Sequence, residues 1–131
     1  SHAQFALFSA IFYMFTETLV MFYFIGSGTA IKKSIQSGNG KIELYDKVKK
    51  TKMILFPHLT MNMIFIGTVF ILGGAVQTGS FPGWVHGIFF DLAFIHFLYV
   101  TIIQHKGFKE NVEIIGKIAF NHGPNISKKM V

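Results

Sequence analysis

Glu17, His58, Asn62, His86, Asp91, His96 and His105 are the side chains of this sequence whose chemistry is out of keeping with their surroundings. Each stands in or at the edge of a long apolar stretch. Imidazoles can ligate a metal, carboxylates can pass a proton, and an amide can orient either. Groups of this kind are costly in hydrocarbon, so those that occur there face a protein interior and are functional candidates by default.

Spacing limits what they can do together. His58 and Asn62 are four residues apart and share a helix face. Asp91 and His105, fourteen apart, also share one. His96 and His105 are nine apart and point to opposite sides of a helix, so one cofactor does not take both unless the helix breaks. Depths count from the charge-free end, with spans starting near Gln4 and Trp84 and the second ending near Gln77. His58 then lies about 19 residues deep and His105 about 21, within about 3 Å of each other at 1.5 Å per residue. Glu17, Asn62 and His96 fall within about 5 Å in height, so they form a candidate polar cluster near the midplane.

Three chemistries follow. A membrane b-type haem needs two neutral imidazoles from facing helices at similar depth, which favours His58 with His105 as iron ligands. His58 with His96 is the fallback, with a height mismatch of roughly 10 Å. The same residues can instead line a quinone site. A proton or small-solute pathway would use Glu17, Asn62, His96 and Asp91 as a relay, and needs an oligomer because three helices enclose little lumen. Other metals are poorly served. A paired-metal carboxylate site needs Glu-x-x-His motifs, and the spacing of His86 and Asp91 suits no helical copper site. The bland alternative is that each histidine is a hydrogen-bonded structural residue and Glu17 is a buried acid bonded to Thr18 or a partner chain.

The elements that must position these residues are three spans, at about 5–31, 53–76 and 84–105. The central one runs for two dozen residues without a formal charge and is long enough to cross a bilayer core of about 30 Å. Pro57 is its helix-perturbing position, expected to kink it and free a carbonyl near His58. Gly67 and Gly74 share a face on which another helix can approach closely. Residues 37–40 form a turn rich in glycine and asparagine. Residues 41–52 carry apolar Ile42, Tyr45 and Val48 at helical spacing among lysines, and are expected to join the second span as one helix. Residues 77–83 are an uncharged loop, followed by Trp84 where an interfacial anchor belongs. Residues 106–120 read as an extension of the third helix or a helix in the interface, and 121–131 as a polar tail.

Composition agrees. The chain has 131 residues, of which 51% are hydrophobic, with 16 Phe. A soluble domain of this size has too little interior to bury so much apolar surface. The net charge of +6 is concentrated in lysines around 31–52 and 106–129. That pattern is a positive-inside signature rather than a nucleic-acid surface. With no Cys, thiolate metal sites, iron–sulfur clusters and covalently attached haem are excluded; with no Arg, so is a bidentate phosphate clamp. No phosphate-cradling loop, nucleophile elbow or zinc-protease motif occurs. The chain opens on Ser1, as removal of an initiator or short leader would leave it, and 5–31 is too long for a signal-peptide core.

The expectation is therefore an all-α, three-transmembrane-helix membrane domain over 1–131, multi-pass in the cytoplasmic (inner) membrane. Its N-terminus lies outside and its C-terminus inside, with the second and third helices extended on the cytoplasmic side toward anionic lipid headgroups. Functionally it reads as a subunit, not catalytic alone, of a larger redox or respiratory complex of membrane proteins. It would anchor that complex and hold a b-type haem or quinone near His58 and His105. The alternatives are the oligomeric pathway and a purely structural accessory subunit.

Overall fold

In a computed structural model the backbone is described for residues 1–127 and the side chains for 1–120. Three α-helices make up the described chain: α1 His2–Gln36, α2 Ile42–Gln77 and α3 Gly83–Ser127. All three are long and apolar enough to span a membrane. The chain is thus a multi-pass membrane protein by length and composition. The two ends of the bundle are named here by their charge, the basic end and the neutral end.

Local sequence sets the helix limits. At the start of α1 the Ser1 hydroxyl accepts from the Gln4 amide, and the Gln4 side chain reaches back to the Ser1 backbone, completing a capping box. The α1–α2 turn reverses at Gly38 and the α2–α3 loop at Gly79, with φ of +83° and +73°. These left-handed positions suit glycine because it lacks a Cβ. As expected, 42–52 belongs to the same helix as the second span. α2 is unbroken through Pro57. Proline's missing N–H leaves unpaired the carbonyl four residues earlier, that of Met53, rather than one beside His58. Residues 106–120 continue α3, and its backbone stays helical through 121–127, where a polar tail was expected. The rest of that expected tail, 128–131, lies outside the described residues.

The buried residues recur at sevens: Glu17, Phe24 and Ile31 on α1; Val48, Leu55 and Asn62 on α2; Ala93, Val100, Gly107 and Ile114 on α3. A seven-residue repeat is the seam of left-handed helix packing. One core cluster is Phe24, Leu55, Leu59 and Val100; a second, nearer the basic end, is Ile31, Val48, Ile114 and Ile118. Gly107 permits a close approach on this seam. A Cβ there would lie 3.1 Å from Thr51 Cγ2 and 3.2 Å from Phe24 Cζ. Gly67 and Gly74 lie off the seam. A Cβ on Gly67 would meet only Met14 Cε at 3.4 Å, and one on Gly74 would meet nothing within 4 Å.

Candidate functional site

Asn62 is where the three helices meet through polar groups, and it is fully buried. Its Oδ1 accepts from the Tyr13 hydroxyl of α1. Its Nδ2 donates to the Ala93 carbonyl of α3 at 3.2 Å and lies 2.9 Å from His96 Nδ1. The amide orientation follows from its neighbours: only Nδ2 can face the Ala93 carbonyl, so His96 Nδ1 is the acceptor. The His96 proton therefore sits on Nε2, an assignment made from the network as such protons must be.

His58 stands one turn below Asn62 on the same face. Its ring lies 5.8 Å from that of His96 and 5.3 Å from that of Tyr99. Phe65 packs edge-on against His96 at 5.3 Å. The imidazoles that meet are thus His58 and His96, the pair with the larger expected height mismatch. With Asn62 opposite His96, His58 stands opposite Val100, about one turn or 6 Å from His96 along the axes. Side-chain length spans that offset. His105 is five residues farther along α3, roughly 7.5 Å, and on another face. It is exposed on the outside of the bundle.

Glu17 is buried, with 4% of its surface exposed, and accepts from Gln104 Nε2 of α3. The depth count groups it with Asn62 and His96. The structure puts Tyr13, one turn earlier on α1, in that place, and the Glu17–Gln104 pair adjoins the cluster on its basic side. The register explains the difference. The ring of Tyr13 meets that of Phe97, and Ser27 meets Asn111. α1 therefore sits about one turn, roughly 6 Å, nearer the basic end of α3 than equal starting points imply. Asp91 is exposed, with no hydrogen bond or ion pair among the described residues.

Sequence reasoning missed Tyr13, Gln104 and Tyr99. Tyr13 had a signal, since it lies one turn from Glu17 on the same face. Gln104 had one too, three residues before Gly107 on the buried side of α3. Toward the basic end, Asn111 is 2% exposed and donates to Ser27 Oγ at 2.8 Å and Tyr23 Oη at 3.2 Å. Thr51 donates to Glu110 at 2.5 Å. These bonds tie the helices together below the cluster.

Chemically, the site is a hydrogen-bonded line from Tyr13 through Asn62 to His96, with His58 beside it. No group of three or more His, Asp or Glu able to hold a metal ion occurs among the described residues. Comparison with protein-family models, with curated proteins and with solved structures found no match to this chain.

Proposed function

We propose that this chain is a small integral subunit of a larger membrane-bound redox complex. It helps anchor the assembly and presents its mid-membrane imidazoles to a quinone or b-type haem. The observation that carries the subunit reading is Asp91. It lies about 10 Å along the axis beyond Trp84, at 1.5 Å per residue, on the outside of the bundle and without a partner among the described residues. A carboxylate facing lipid at such depth costs about 2–3 kcal/mol. A neighbouring chain that donates to it removes that cost. The redox part rests on His58 and His96 meeting from two helices beside Tyr99.

Of the two redox groups, the hydrogen bonding favours the quinone. A haem iron would need the lone pair of His96 Nε2, whereas Asn62 holds the tautomer that carries a proton there. A proton on Nε2 suits a quinone carbonyl. The positive-inside rule supports a cytoplasmic-membrane placement with the basic end inside.

The test is the native size of the chain extracted in mild detergent, with a reduced-minus-oxidised visible spectrum of whatever co-purifies. The wild type should run in a larger complex, and Asp91→Leu should leave it while keeping its helicity. If the wild type runs alone and Asp91→Leu is merely more stable, the subunit reading fails. A haem band pair lost in His58→Ala would favour haem over quinone. The second reading, an oligomeric proton or solute pathway using Glu17, His96 and Asp91, is favoured by the Tyr13–Asn62–His96 line running up to the Glu17–Gln104 pair. It predicts loss of flux in Glu17→Gln with assembly intact. A structural accessory subunit would show only altered yield in all of these variants.

A further inference from the structure

Lys32, Lys49 and Lys52 line the groove between α1 and α2 at the basic end. Lys32 Nζ of α1 stands 6.0 Å from the centroid of the Tyr45 ring of α2. A Cβ on Gly28 of α1 would lie 3.0 Å from Lys52 Nζ, so glycine there lets the half-buried lysine rest its ammonium against α1. Gly28 and Lys32 are four residues apart and share a face of α1. Tyr45, Lys49 and Lys52 are four and three apart and share a face of α2. The two contacts therefore set both stripes along one groove, with Lys49 between Tyr45 and Lys52.

These three ammonium groups have no hydrogen bond or ion pair among the described residues. The carboxylates of this end are engaged or turned elsewhere. Glu110 accepts from Thr51 on the α3 side, and Glu113 pairs with Lys117. Asp46 is exposed and lies about 100° round α2 from Tyr45. Depth selects the missing anion. Counted from Gln77 at the neutral end of α2, Lys52 lies about 37 Å along the axis. A hydrocarbon core is about 30 Å thick, so the ammonium stands at the level of lipid headgroups. Toward the midplane the groove turns apolar, with Phe56 one turn beyond Lys52 and Ile25 three residues before Gly28. A cationic end above an apolar run is the complement of a phospholipid.

We infer that this groove holds one anionic phospholipid, its phosphate between Lys32, Lys49 and Lys52 and an acyl chain along Ile25 and Phe56. The lysine stems bring rotatable donors to a phosphate as point charges. The inference is independent of any redox role. It also differs from the general attraction of a basic surface to an anionic leaflet, because it assigns the effect to three lysines and not to their neighbours. Lys50, two residues before Lys52, points to the far side of α2.

The experiment extracts the full chain in mild detergent, with whatever co-purifies, and titrates it in turn with phosphatidylglycerol and phosphatidylcholine of the same acyl chains. Native mass spectrometry counts the lipid retained per chain. Wild type should retain one phosphatidylglycerol, about tenfold more tightly than phosphatidylcholine. Lys52→Gln should weaken it about fivefold, and Lys50→Gln, which removes the same charge, by less than about twofold. Gly28→Ala keeps every charge, but its methyl displaces Lys52 Nζ, and it should also weaken phosphatidylglycerol. Excess inorganic phosphate should not displace the lipid, because it lacks acyl chains. Equal weakening by Lys52→Gln and Lys50→Gln would report diffuse attraction and overturn the inference. Displacement by inorganic phosphate would overturn it too, making the site one for a soluble anion. A wild type with no preference for phosphatidylglycerol would do the same and leave the groove to an acidic segment of a neighbouring chain. Circular dichroism identifies any variant that has lost its helices. Should Lys52→Gln lose them, Lys32→Gln compared with Lys33→Gln decides.

Discussion

Replacing Asn62 by leucine removes a side chain bonded to both other helices while keeping the same number and branching of heavy atoms. Asn62 holds Tyr13 Oη, the Ala93 carbonyl and His96 Nδ1. Interhelical hydrogen bonds in membranes average about 0.6 kcal/mol each, so their loss costs about 2 kcal/mol. The change also leaves His96 Nδ1 unpaired in a buried site, which adds about 1–2 kcal/mol because that acceptor has no water to turn to. The Tyr13 hydroxyl can rotate and the Ala93 carbonyl keeps its helical bond, so neither adds much. The expected loss is therefore about 3–4 kcal/mol. It is measured by reversible unfolding in mixed detergent micelles, followed by circular dichroism. Thr68→Val is the control. Its hydroxyl bonds only the Ile64 carbonyl of its own helix, and its cost should stay within about 0.5 kcal/mol. A double-mutant cycle with Tyr13→Phe should return a coupling of about 0.5–1.5 kcal/mol. A loss for Asn62→Leu no larger than that of Thr68→Val, or no coupling to Tyr13, would refute the claim that this amide joins the three helices.

Gly107 and Gly26 should respond to alanine with opposite signs. Gly107→Ala, with its new methyl 3.1–3.2 Å from Thr51 and Phe24, should destabilise the bundle by about 1–3 kcal/mol through overpacking. Gly26→Ala, which meets nothing within 4 Å, should stabilise it by about 0.5–1 kcal/mol through helix propensity; the same unfolding assay reads both. Glu17→Gln keeps an acceptor for Gln104 and should change stability by less than about 1 kcal/mol, whereas Glu17→Leu leaves the half-buried Gln104 amide without its acceptor and should cost about 1–2 kcal/mol. Asn111→Leu should loosen the basic end, seen as faster amide exchange around Ser27 and Tyr23 with little change at Asn62.

Much of the fold was legible. Two dozen uncharged residues at 53–76 can only be a span or the core of a far larger protein, bounded by Lys52 on one side and by the uncharged loop 77–83 on the other. The fusion of 42–52 with that span was readable from helical spacing. The polar tail at 121–127 was misjudged because Gly123 and Pro124 read as a stop. Proline leaves unpaired only a carbonyl four residues earlier, and a helix whose end is solvated can bear that loss.

The candidate site was legible in its members but not in its pairings. Depth counted along each helix rested on assumed starting points, and an error of one turn exchanges Tyr13 for Glu17 beside Asn62. Rotational phase was also hidden. His105 matched His58 in depth by that count, yet faces outward because Val100, Gly107 and Ile114 take the inward face of α3. The sequence by itself determined three apolar helices, a basic and a neutral end, and polar side chains that lipid would reject, because bilayer thickness and hydrocarbon polarity act on composition and length alone. Only the tertiary structure decided that His58 meets His96, that Glu17 meets Gln104, and that Lys52 lies over Gly28. Axial register and rotation are set by which small residue admits which large one, and Gly107 against Phe24 or Gly28 against Lys52 is a property of two helices together.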